Sequence, residues 1–179
     1  MASSKIKAGT ALAGIMGIAA TGALLGDLTR WEGKRNVGYL DIAKIPTACM
    51  GDTQNVVVGK FYSDAECQER LERQALSHVE DVLLIAPGLR QHPQVLRAAG
   101  SMTYNIGAPK FSGSTASTRF RAGDLLGGCL AIGPYFVVLR KDGTEVVTSG
   151  FINVNKQPIQ GLIDRRTYEM TVCLRGLVK

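Results

Sequence analysis

Glu32, Asp41 and Thr47 are the residues of this 179-residue chain whose types and spacing could do chemistry. Two carboxylates close in sequence but on different elements can face each other across a cleft, the arrangement that glycosidic bond cleavage requires. One of them, as an acid, protonates the leaving oxygen. The other stays ionised, where it stabilises positive charge developing on the sugar or activates a water. Thr47 adds a hydroxyl that could hold that water. Glu32 suits the acid role if it is partly buried at a helix end, because apolar neighbours disfavour its charged form.

The elements that must position these groups are legible in outline. Asp27, Leu28 and Thr29 predict the start of a short helix reaching Arg35, with Glu32 on its second half. Residues 37–62 read as a small sheet of two or three strands, broken by Pro46, Gly51, Asp52 and Gly59. Asp41 and Thr47 fall on opposite limbs of its first hairpin. Ser63-x-x-Glu66 is a capping box for a long helix whose apolar stripe is Cys67, Leu71, Ala75, Val79, Val82 and Ala86, stopped by Pro87-Gly88.

Further helices are predicted from Pro93 to Gly107, over 114–122, and after Asp124 around Leu126, Cys129 and Ile132. Residues 135–152 alternate in polarity about Asp142-Gly143 and predict a β-hairpin. A last helix, 159–176, should bury Leu162, Ile163, Met170, Cys173 and Leu174 and expose Arg165, Arg166 and Arg175. The pattern is α+β, with a small antiparallel sheet in front of a mainly helical region.

Ahead of this lies an uncharged stretch, residues 8–26, preceded by Lys5 and Lys7. At roughly 1.5 Å per residue it reaches just across a bilayer core, and the flanking lysines place its start in the cytoplasm. Yet it is only weakly hydrophobic: Gly and Ala dominate, against Leu12, Ile15, Met16, Ile18, Leu24 and Leu25. Small residues recur at helical spacing at Gly9, Ala13, Gly17 and Thr21. A marginal anchor and a signal peptide cleaved near Thr21-Gly22-Ala23 both fit.

The net charge of +6 suits an anionic polymer such as cell wall, but charge alone speaks to association and not to fold. No aromatic or glycine-rich motif accompanies it, so nucleic acid is not expected as a partner. Cys49, Cys67, Cys129 and Cys173 form no C-x-x-C pair, which argues against a zinc or redox site and for disulfides in an oxidising compartment. Four cysteines leave three pairings open. His78 and His92 read as surface residues with no serine motif beside them, so a Ser-His-Asp hydrolase is not expected.

Taken together, Glu32-Gly33, Tyr39-x-Asp41 and Pro46-Thr47-x-Cys49-x-Gly51-Asp52-Thr53 resemble the active-site signature of the phage lysozymes of glycoside hydrolase family 24. The similarity continues through Tyr62-x-Asp64-Ala65-Glu66-Cys67, Tyr104-Asn105-Ile106-Gly107, Phe120-x-x-Gly123-Asp124 with Cys129, and Gly161-Leu162-x-x-Arg165-Arg166 with Cys173. It covers nearly all of residues 30–179.

The resemblance implies a lysozyme-like fold without cofactor or metal. It implies a peptidoglycan hydrolase cutting the β-1,4 bond between N-acetylmuramic acid and N-acetylglucosamine, with inversion. Glu32, Asp41 and Thr47 are then catalytic. Tyr39, Asn105, Arg165 and Arg166 bind substrate or support the site, one of the arginines coming close to Glu32.

The weak N-terminal segment resembles the signal-arrest-release subgroup of endolysins, which are inserted as inactive tethered enzymes and leave the bilayer on depolarisation. This implies an anchor of residues 1–28 held in the host inner membrane through residues 8–26, before a periplasmic catalytic domain of residues 29–179. After release and refolding of the N-terminal segment, a periplasmic monomer that lyses the host is expected. No cysteine precedes Cys49, so activation by disulfide exchange with the anchor is not expected.

Three features depart from the pattern: Lys44 stands where a turn glycine is usual, Met50 replaces a common tyrosine that would pack on sugar, and 135–152 is an insertion. They motivate the alternative of a membrane-anchored glycan-binding protein that does not cut.

Overall fold

The computed structural model describes residues 7–41 and 43–178, which leaves the expectation for Lys5, and residue 42 of the predicted 37–62 sheet, outside the described residues. The chain divides into two compact units, Met1–Ser77 and His78–Lys179.

The first unit begins with helices α1 (Ala8–Met16) and α2 (Ile18–Glu32), which meet at 119° about Gly17. Gly17 makes the break with φ +84, a left-handed conformation that costs glycine little. No single described helix is long and apolar enough to cross a membrane, although this bent pair passes together by length and composition. The helix carrying Glu32 does not begin at Asp27 as predicted. Asp27 is buried within it, and the helix continues unbroken from the Gly/Ala segment.

Leu12, Met16, Ala20, Leu24 and Leu28 are buried at steps of four, while Gly14, Gly22 and Gly26 face outward and Ile18 is exposed. A stripe of large residues turned inward is the pattern of a helix packed in water, each buried Leu or Met contributing roughly 1.5–3 kcal/mol. Gly9 permits one close contact here: a Cβ added to it would lie 2.7 Å from the Glu72 carboxylate of the long helix.

Strands β1 (Arg35–Leu40) and β2 (Pro46–Cys49) pair antiparallel, Tyr39 opposite Thr47 and Leu40 opposite Pro46. The connection closes with Lys44 at φ +61, so the position where glycine is usual adopts a glycine-like conformation without one. Residues 56–60 fold back over β1, with Gly38 N–H donating to Lys60 O and Gly59 N–H to Gly38 O. Gly38 is required there, because a Cβ would collide with the Val57 carbonyl.

Helix α3 (Asp64–Ile85) starts at the predicted capping box, Ser63 N–H donating to Glu66 and Glu66 N–H to Ser63 Oγ. It runs across the boundary between the units, and its buried stripe is the predicted one. A disulfide joins Cys49 to Cys67.

The second unit is mostly helical. A 3₁₀ turn (Pro87–Gln91) leads into α4 (Pro93–Ile106), α5 (Ala108–Ser112), α6 (Thr115–Arg121) and α7 (Leu125–Ile132). Ser114 and Asp124 cap α6 and α7 by accepting from the Ser117 and Gly127 N–H groups. The predicted hairpin forms as β3 (Tyr135–Leu139) and β4 (Glu145–Ser149), turning through Gly143 at φ +83.

A second small hairpin, β5 (Asn153–Val154) and β6 (Gln157–Pro158), carried no turn signal that sequence reading recognised. Asn155 and Lys156 make the turn at positive φ without a glycine. Helix α8 (Gln160–Arg175) packs on α4 and α7 and is tied to α7 by the Cys129–Cys173 disulfide.

The α8 expectation needs correction. Arg165 and Arg166 are 4% and 0% exposed, whereas Leu162, Ile163, Met170 and Leu174 are only half-buried. The innermost stripe is Arg165, Arg166, Glu169, Val172 and Cys173. A buried guanidinium is tolerated where a carboxylate meets it, and Glu169 follows at helical spacing. His78 and His92 also differ from the surface reading, since both are half-buried. The His78 ring lies edge-on to Tyr104 at 5.2 Å, and burial holds its pKa below 6.5 against the opposing pull of Asp81.

Candidate active site

Glu32 is the last residue of α2 and is half-buried. Gly33 ends the helix at φ +69, which turns the chain directly from the carboxyl-bearing helix into β1. Asp41 lies one residue beyond β1. Its Oδ1 accepts from the Ile45 N–H at 2.8 Å while its backbone N–H donates to Ile45 O at 3.0 Å, so the loop around Lys44 is organised by Asp41 itself. One bond accepted and one donated by the same residue close a turn that glycine would otherwise ease.

Thr47, on β2, is 5% exposed and donates its hydroxyl to Ile45 O at 3.0 Å. Asp41 and Thr47 are therefore both bonded to Ile45, one from each side of the hairpin connection. Tyr39 faces Thr47 in register and carries the Arg35 guanidinium 4.0 Å above its ring, a cation–π contact.

The segment after Thr47 turns sharply back. Ala48 and Asp52 exchange both backbone hydrogen bonds at 2.9 Å, with Cys49 at φ +58 and Gly51 at φ +83 inside the turn. Gly51 faces the acid: a Cβ placed there would lie 3.8 Å from Glu32 Oε2. Met50 is buried, so the replacement of an expected aromatic fills this turn from inside and presents no open surface. The structure thus brings Glu32, Asp41, Thr47 and Tyr39 into one unit.

Asn105, Arg165 and Arg166 belong to the other unit, where they share a network with Glu169. Arg165 Nε donates to Glu169 at 3.1 Å and its NH2 group to Ser101 O at 3.2 Å. Arg166 donates to Asn105 Oδ1 at 3.1 Å and lies 3.0 Å from Glu169 Oε2. Ser101 Oγ adds a bond to the same carboxylate. Burial pushes the Glu169 carboxyl above its ordinary range, and the two arginines and Ser101 pull it back.

Sequence reading missed Glu169, although its spacing of four and three from Arg165 and Arg166 was a usable sign. Among the described residues no group of three or more His, Cys, Asp or Glu is placed to hold a metal ion.

Residues 29–169 match the family model for phage lysozyme. The chain is 30% identical to a SAR-endolysin of Pseudomonas phage phiKMV over 87% of this chain and 89% of that protein. It is 28% identical to a SAR-endolysin of Enterobacteria phage P21 over 81% and 78% of the two chains. In fold it is similar to the active form of the P1 phage endolysin Lyz, with a TM-score of 0.71 at 23% identity and coverage of 93% and 95%. By the family match over most of its length, the chain belongs to the phage lysozyme family, glycoside hydrolases that degrade peptidoglycan.

Proposed function

We propose that this lysozyme is held in the host inner membrane through residues 8–26 and gains activity when that segment leaves the bilayer and packs as α1 and α2. The observation that carries this reading is the stripe Leu12, Met16, Ala20, Leu24 and Leu28, buried on one side of helices whose other side is largely Gly and Ala. Small outward residues expose little apolar area in water, so little is lost when the segment leaves lipid. Because α2 ends in Glu32, the same packing that shelters the apolar stripe also sets the position of the acid. The SAR-endolysin relatives support the same order of events.

At the site, Glu32 gives its proton to the glycosidic oxygen as the bond to the anomeric carbon breaks. Asp41, ionised and anchored by the Ile45 N–H, faces the developing positive charge or takes a proton from the attacking water. Thr47 orients that water with an oxygen lone pair while its own O–H donates to Ile45 O. Tyr39 supports the strand end beside Asp41, and Asn105, Arg165 and Arg166 support the core of the second unit through Glu169. Attack by water opposite the leaving group inverts the anomeric carbon, an outcome read by NMR of the first product formed.

The tether is tested by fractionating cells that make the full chain before and after an uncoupler is added. The expected result is a move from membrane to soluble fraction with residues 8–26 retained by intact mass and muralytic activity rising with release. A product shortened near Ala23, or soluble and fully active from the start, would contradict it.

A further inference from the structure

Asp52 is 1% exposed and takes no part in the chemistry described above, yet it accepts four hydrogen bonds. Its Oδ1 accepts from the Gln54 N–H at 3.0 Å and from Gln74 Nε2 at 2.7 Å. Its Oδ2 accepts from Arg73 at 3.0 Å and from Arg70. Arg70, Arg73 and Gln74 all project from α3, and Arg70 is braced by the Tyr62 ring 4.6 Å away and by the Gln54 carbonyl.

A buried carboxylate with two guanidiniums and two further donors has its charge compensated and its hydrogen bonds filled. Such a group resists displacement in all directions. The backbone of the same residue closes the turn to Ala48, which directly follows Thr47, and the turn sets Gly51 against the Glu32 carboxylate.

We propose that Asp52 is a positioning residue for catalysis, an ionic fastening that holds the Ala48–Asp52 turn on α3 and thereby fixes Thr47 and the backbone facing Glu32. The Cys49–Cys67 disulfide is a second fastening of the same turn to the same helix. The two act in parallel: one is covalent and depends on oxidation, the other is ionic and does not. Each limits the harm done by loss of the other, so the turn stays in register if the chain reaches its substrate before the disulfide forms. The proposal rests on Glu32 and Thr47 acting as described above.

The test is steady-state hydrolysis of purified peptidoglycan by the full chain carrying Asp52→Asn, Asp52→Ala, Cys49→Ala with Cys67→Ala, and the combination. A displacement of about 1 Å at a catalytic group can cost on the order of 100-fold in rate, and partial loosening costs less. Asp52→Ala should lower kcat about 10-fold or more with KM changed by less than about 3-fold. Asp52→Asn, which keeps an acceptor for Gln54 and Gln74, should recover part of kcat. The combined variant should fall by more than the product of the separate losses, because the sites share one turn.

Near-UV circular dichroism gives the folded fraction to which each rate is normalised. If Asp52→Ala does not fold, Asp52→Asn and Arg70→Met are read in the same way. An unchanged normalised kcat, a loss confined to KM, or losses that simply multiply would overturn the proposal. Glu32→Gln run beside them separates the two ideas. Activity persisting in that variant contradicts the acid assignment, whereas its loss alongside a normal Asp52→Ala contradicts only the role given to Asp52.

Discussion

The two units hold charged groups in opposite ways. In the first, the Asp41 carboxylate is satisfied at a turn, accepting from the Ile45 N–H beside Lys44 at positive φ. In the second, Arg165, Arg166 and Glu169 are buried in the middle of a regular helix and meet Ser101 and Asn105 of another. Turn-held groups depend on backbone geometry, while helix-held groups depend on charge compensation. The first arrangement suits residues that must present free oxygen atoms to a substrate; the second locks a core.

If that contrast holds, the second unit should be the more sensitive to loss of a single charge. Arg166→Met leaves Glu169 less compensated and is expected to cost about 3–5 kcal/mol, seen as a large drop in the urea midpoint. A loss below about 1 kcal/mol would mean that the cluster does not lock the core of the second unit.

The disulfides sharpen the comparison next. Chain-entropy reasoning gives about 4 kcal/mol for Cys129–Cys173, with its 44-residue separation, and about 3 kcal/mol for Cys49–Cys67, with 18. Alanine pairs at each site should therefore lower stability in that order, by differential scanning calorimetry.

Gly38→Ala tests backbone dependence in the first unit. It forces the Val57 carbonyl away from β1 and should cost about 1–3 kcal/mol. Activity should fall further than the unfolded fraction explains.

The smallest effect concerns pH. The His78 pKa is lowered in the folded state, so the unfolded chain binds the proton more tightly, and this contribution to stability is lost as pH falls below 6.5 through the folded value. Wild type should thus lose more thermal stability between pH 7 and pH 5 than His78→Phe, with the two curves parallel above neutrality.

Much of this was readable in the sequence because the signals were local. The capping box at Ser63 and Glu66, the caps at Ser114 and Asp124, and the Asp142-Gly143 turn all act within a few residues. Glu32, Asp41 and Thr47 were readable as a motif, and Asp41 and Thr47 fall on the hairpin as expected. What escaped depends on partners far along the chain.

Asp52 reads as a turn residue until Arg70, Arg73 and Gln74 reach it from α3. Arg165 and Arg166 read as solvated until Ser101 and Asn105 are seen to meet their cluster. The continuity of α2 through Asp27 escaped for another reason: Asp27-Leu28-Thr29 reads as a helix start, whereas Asp27 is buried inside a helix that already runs from Ile18.

Glu32, at the end of that helix, is the residue on which the proposed hydrolysis depends. Its most direct test is the release of reducing ends from purified peptidoglycan by the soluble full chain and by Glu32→Gln at equal folded concentration. Loss of general-acid assistance predicts a fall of about 100- to 10,000-fold with an unchanged Tm. Turnover within a few-fold of wild type would contradict it.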